Sequence, residues 1–163
     1  MTLTKKIIIS AIIGTAFWCW NPPPSFRFNY LSAGALDIIT ATNSERQIAG
    51  LNILKISDTL NKVAELKVAD MVKNNYFAHI SPTQISPRYF FEEAGYDFRY
   101  AGENLAVDFT NNEHIVKMWM ESPSHRDNIL DPHYTEIGVA VLRSKYNGHL
   151  TDFVAQEFGK PQD

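Results

Sequence analysis

Three side chains able to carry acid–base or metal chemistry stand in segments marked by proline or glycine. They are His79 in Tyr76-Phe77-Ala78-His79-Ile80-Ser81-Pro82, Glu103 in Ala101-Gly102-Glu103-Asn104-Leu105-Ala106, and His125 in Trp119-Met120-Glu121-Ser122-Pro123-Ser124-His125-Arg126-Asp127-Asn128-Ile129-Leu130. Loops held on a rigid scaffold are where sites tend to be built. Two imidazoles and one carboxylate can hold a divalent ion such as zinc, or calcium or magnesium where oxygen donors dominate. The same groups can act as general acid and base. Ser124 beside His125 does not read as a nucleophile, because adjacent residues do not make a triad and no nucleophile elbow is present. A fourth segment, Tyr134-Thr135-Glu136-Ile137-Gly138-Val139, adds Glu136.

The elements that must position these residues follow from periodicity. A helical pattern begins at Leu36 and runs to about Gly50. Asp58 is the expected N-cap of a second helix, whose Leu60, Val63, Ala64, Val68, Met71 and Val72 recur at three and four and make one face apolar. It should end near Asn74-Asn75. Ser86-Pro87 opens a short helix that Gly95 stops. Another helix spans about Glu113 to Met120 before Pro123, and His125 begins a further short one. Glu136 to Leu142 is apolar on both faces, the mark of a central strand. Leu150 to Phe158 pairs with it across a turn at Asn147-Gly148. Helices in mixed order with a small sheet imply an α+β fold with helices on both sides of the sheet.

Composition bounds the rest. The chain has 163 residues, enough for one domain. Its net charge of −3 leaves no basic surplus for a phosphate backbone, so nucleic acid is excluded as the expected partner. Lys5 and Lys6 precede an uncharged run, Ile7 to Trp20, which reads as a signal peptide or signal anchor over residues 1–20. That run has 14 residues, short of the roughly 20 of a full span, and Trp18 and Trp20 suit a membrane–water interface. Pro22, Pro23 and Pro24 open an expected linker over residues 21–35, leaving residues 36–160 as the domain. The lone Cys19 lies in the leader, so the domain is expected to rest on core burial and not on disulfides.

In order and spacing the four segments, with the Asn43-Ser44-Glu45-Arg46 opening, resemble the CAP superfamily of cysteine-rich secretory, antigen 5 and pathogenesis-related 1 proteins, in its bacterial SCP-like form. The resemblance implies a three-layer α-β-α sandwich with a small central antiparallel sheet and an open cleft. It implies two histidines and two glutamates in that cleft, able in some members to take a divalent metal. His79, Glu103 and His125 match three of these positions. Ser122 stands where animal members carry the second glutamate, and Glu121 lies one residue earlier, so both are cleft candidates.

Other polar residues read structurally. Glu136 with Arg126 is expected as an ion pair, Asn104 as a loop anchor through its amide, and His114, His133 and His149 as surface residues. Trp119 and Tyr134 are expected in the core.

The expected function is an extracytoplasmic binding module, at the membrane through its N-terminus or secreted, for a lipid, glycan or protein ligand. The alternative is a metal-assisted, peptidase-like hydrolase in which His79 and His125 hold the ion and Glu103 activates water. A glycosidase using Glu103 and a second carboxylate is the weaker third reading.

Overall fold

A computed structural model of the chain describes residues 32–109 and 112–162. The expected leader and residues 21–31 of the expected linker lie outside the described residues. Those described form five helices, α1 (Ala33–Ile48), α2 (Asp58–Lys73), α3 (Pro87–Ala94), α4 (Asn112–Glu121) and α5 (Pro123–Ile129). They also form four strands, β1 (Lys55–Ile56), β2 (Phe98–Val107), β3 (Glu136–Tyr146) and β4 (His149–Pro161). Among the described residues no helix is long and apolar enough to cross a membrane.

The sheet runs β1-β3-β4-β2. β4 pairs antiparallel with both β2 and β3, while the two-residue β1 pairs parallel with β3, so the sheet is mixed at one edge and not wholly antiparallel as expected. Side chains alternate between the two faces of a strand, so the helices form two outer layers. Ala106, Ile137, Val139, Val154 and Phe158 pack with α1, α4 and α5. Leu105, Ala140, Phe153 and Ala155 pack with α2 on the other face, where α3 adds Phe90 and Phe91. This is the three-layer sandwich.

Local chemistry explains the boundaries. α1 begins at Ala33, inside the expected linker, because the Ser32 hydroxyl accepts from the Ala35 amide at 3.2 Å. α2 is capped by Ser57, not by Asp58, which sits one residue inside as a favourable first-turn acid. The β3–β4 turn holds Asn147 and Gly148 at φ 49° and 88°, a two-residue hairpin with both central residues left-handed. Gly138 lets β3 approach α2, since a Cβ there would fall on the backbone of Leu60 and Asn61.

β2 was not expected as a strand. Its Gly102-Glu103-Asn104 core has poor strand propensity, and pairing with β4 from Phe98 to Val107 overrides it. An extra residue at the Phe98–Tyr100 step makes a bulge in this ladder. The bulge puts Phe98 on the α3 side, with Phe91 and Ala101, while Tyr100 packs on the α1 side.

Candidate functional site

Glu103 lies on β2, an edge strand, and faces the α2 side, where its side chain is 5% exposed. The segment after α2 carries His79 over it. The imidazole Nδ1 donates to Glu103 Oε1 at 2.6 Å, while its side chain stays 54% exposed. A carboxylate only accepts, so the neutral ring carries its proton on Nδ1 and turns Nε2 outward as an acceptor.

Beside this pair is an open hollow of about 300 Å³. It is lined by Pro87, Arg88 and Phe91 of α3, by Phe98, Ala101, Gly102 and Glu103 of β2, and by His79. The bulge therefore supplies one of the aromatic walls. The Arg88 guanidinium sits 5.3 Å over the Phe98 ring and also pairs with Glu92 at 2.7 Å.

His125 sits on α5, on the opposite face of β2. Its Nδ1 shares a hydrogen bond with Ser122 Oγ at 2.8 Å, and its ring stacks on Trp119 at 6.3 Å. Burial, and secondly the charge of His79, hold its imidazole below the ordinary value. α5 packs against the edge strand that carries Glu103. Asn104 makes this possible: its amide donates to His125 O at 3.2 Å and to Gln156 Oε1 at 3.1 Å, and its oxygen accepts from Asn128 at 2.9 Å. It anchors a helix to a strand, where a loop anchor was expected. Gly102 lets α5 and Tyr134 close on β2, because a Cβ there would meet the Tyr134 hydroxyl.

The remaining expectations resolve individually. Ser122 contacts His125, whereas Glu121 is exposed at the end of α4. Glu136 does not pair with Arg126. It faces the α3 side and accepts from the Tyr96 hydroxyl at 2.8 Å, while Arg126 lies on α5 across the sheet. His114, His133 and His149 are exposed, the last two bonded to Asp131 and Asp108. Trp119 and Tyr134 are buried.

Two charged residues behind the site were not foreseen. Lys67 of α2 has no exposed side-chain surface. Its ammonium donates to Ala78 O at 2.8 Å and His79 O at 2.6 Å, and stands 3.9 Å from Glu103 Oε2. Burial lowers its pKa, opposed by the charge of Glu103. Glu157 of β4 is directly opposite Glu103 in the ladder and fully buried, and burial followed by the charge of Glu103 pushes its carboxyl well up. The signal was present: Lys67 falls on the apolar stripe between Ala64 and Met71, and Glu157 shares the inward alternation of Phe153 and Ala155.

The donor set does not fit a three-ligand metal. Among the described residues no three His, Cys, Asp or Glu side chains converge closely enough to share an ion. The Glu103 oxygens face His79 and Lys67 and are not open to an ion, so only the Nε2 atoms of the two imidazoles remain as donors. A catalytic zinc takes three protein ligands plus water.

The comparisons with known proteins agree with this architecture. The model of the cysteine-rich secretory protein family matches residues 39–158. The chain is 44% identical over 114 residues to YkwD of Bacillus subtilis (strain 168), an uncharacterized protein, covering 70% of this chain and 44% of that one. It thus spans less than half the length of that relative. A crystal structure of an extracellular protein containing a SCP domain from Bacillus anthracis superposes with TM-score 0.68 at 29% identity, over 78% of this chain and 40% of the other. An outer surface protein of Borrelia burgdorferi gives TM-score 0.66 at 26% identity, over 77% and 90%.

Proposed function

The chain belongs to the cysteine-rich secretory protein family, and on that premise we propose that this domain is an extracytoplasmic binding module. Its ligand lays an apolar body against Phe91 and Phe98 and gives a hydroxyl or amide proton to His79 Nε2. The observation that carries this is the 2.6 Å bond from His79 Nδ1 to the buried Glu103 carboxylate, which fixes one tautomer at the mouth of an aromatic-walled hollow. A volume of about 300 Å³ is at the small end of ligand sites, so the ligand, or the part of it that enters, is no larger than a side chain or two. The extracytoplasmic placement is supported by the Lys5-Lys6 start with its uncharged run, and by the extracellular and outer-surface relatives.

The probe is 4-ethylphenol, an apolar ring with one donor, beside 4-ethylanisole, which lacks the donor. Titration into labelled protein should move the amides of His79, Phe91 and Phe98 saturably, with Kd of about 1 mM, an ordinary efficiency for a ligand this small. The anisole should bind about tenfold more weakly, the factor for one buried hydrogen bond. Equal binding of both, or no saturation at these amides, refutes the reading.

The same geometry favours one second reading. A carboxylate holding Nδ1 leaves Nε2 placed to take a proton from water, as a general base does. Hydrolysis of a small ester that is lost in His79→Gln would support it, and turnover equal to that variant would end it.

A further inference from the structure

The floor beneath the hollow contains one more carboxyl group than it has cations. Lys67 and Glu103 form a buried pair, and Glu157 lies beside them, nearest neighbour to Glu103 across the β2–β4 ladder on the same face. Both Glu157 oxygens are sealed from water, and no donor reaches either of them. An ionised carboxylate without partners in such a place is prohibitively costly, and two adjacent ones more so. A proton on Glu157 removes the cost and supplies the missing donor, which Glu103 can accept. The groups that face Glu157 fit this: α2 brings Lys67, whose own charge is also felt by Asp70, β2 brings Glu103, and β3 places Gly138 opposite it. Beyond Glu103 lies His79, and α3 brings Arg88 to the same hollow.

We propose that Lys67 and Glu157 are positioning residues for the site: Lys67 clips the His79 segment to α2, and Glu157, as a neutral acid, donates to Glu103 so that Oε1 stays on the His79 ring. Neither residue touches a ligand. Lys67 acts through two backbone carbonyls, those of Ala78 and His79, and through Glu103 Oε2. Its ammonium is also 5.4 Å from the rings of Tyr76 and Phe90, which hold the stem in place. The result is a carboxylate with no freedom to rotate, and hence a histidine with one tautomer. The inference rests on the reading of His79 as the polar contact of the site. Its test reads the ring itself and not a ligand, so the two fail separately.

The test is a long-range proton–nitrogen NMR spectrum of the His79 ring at neutral pH, on the full chain and three variants. Wild type and Glu157→Gln, which is neutral and keeps a donor, should both show the Nδ1–H tautomer in excess by about tenfold or more, as a hydrogen bond to a carboxylate supplies. Glu157→Leu, which keeps the volume without the donor, and Lys67→Met, which keeps the stem without the charge, should each lower that ratio by at least about tenfold while circular dichroism stays native. Should Lys67→Met not fold, the Gln and Leu pair at position 157 decides alone. The proposal is overturned if folded Glu157→Leu keeps the wild-type ratio, or if Glu157→Gln loses it.

Discussion

Replacing Lys67 with Met removes the ammonium at nearly constant volume, so the loss is electrostatic and not a cavity. Two carbonyls, Ala78 O and His79 O, lose a charged donor at 2.8 and 2.6 Å, and Glu103, 5% exposed, loses its one buried cation. Breaking a buried pair by removing one partner costs about 3–5 kcal/mol, since the other charge is stranded. Against this, burying the ammonium is itself unfavourable, as its lowered pKa shows, so the lower end, about 3 kcal/mol, is expected. For a domain of this size that corresponds to a fall in Tm of about 6–12 °C. Urea unfolding at pH 7, followed by circular dichroism, reads the change as a lower midpoint at constant slope. Adding Glu103→Gln to Lys67→Met removes the stranded charge, so the double variant should be more stable than the sum of the singles by about 1–3 kcal/mol. A Lys67→Met protein within about 0.5 kcal/mol of wild type, or strict additivity with Glu103→Gln, would refute the reasoning.

Three further outcomes follow from the same structure. Gly138→Ala forces β3 away from the Leu60 and Asn61 backbone and should cost about 3 kcal/mol or more by urea unfolding. Asn104→Ala leaves Gln156 and Asn128 short of partners and frees α5, so it should destabilise by about 2–4 kcal/mol and also disturb the amide of His125, read by NMR. The pKa of Glu157 is raised on folding, so its contribution is complete below the unfolded carboxyl value of 4.5 and is lost as pH rises toward the folded one. Relative to Glu157→Gln, wild-type stability should therefore fall by about 1.4 kcal/mol per pH unit above that value, measured by unfolding at a series of pH values.

The sequence carried the helices well because their signals are local. The apolar stripe of α2, Ser86-Pro87 ahead of α3 and the Asn147-Gly148 turn are each complete within a few residues. β2 was illegible for the opposite reason: Gly102, Glu103 and Asn104 are strand residues only because β4 lies beside them, 50 or so positions later in the chain. Of the site, the pairing of His79 with Glu103 could be expected only from resemblance, since 24 residues separate them. That His125 approaches from the other face depends on β2 being an edge strand, which no local pattern encodes. Lys67 and Glu157 were legible in principle, as charges at inward positions of two otherwise apolar patterns. Glu136 misled because Arg126 is near in sequence, while the sheet stands between them.

The account turns on His79 offering an unprotonated Nε2 to whatever enters the hollow. The nitrogen chemical shift of that atom, recorded at neutral pH with and without saturating 4-ethylphenol, tests it most directly. The account predicts an unprotonated Nε2 in the free protein that moves upfield on saturation, with Nδ1 still protonated and bonded to Glu103. A proton on Nε2 in the free protein, or an Nε2 signal unmoved at saturation, would contradict it.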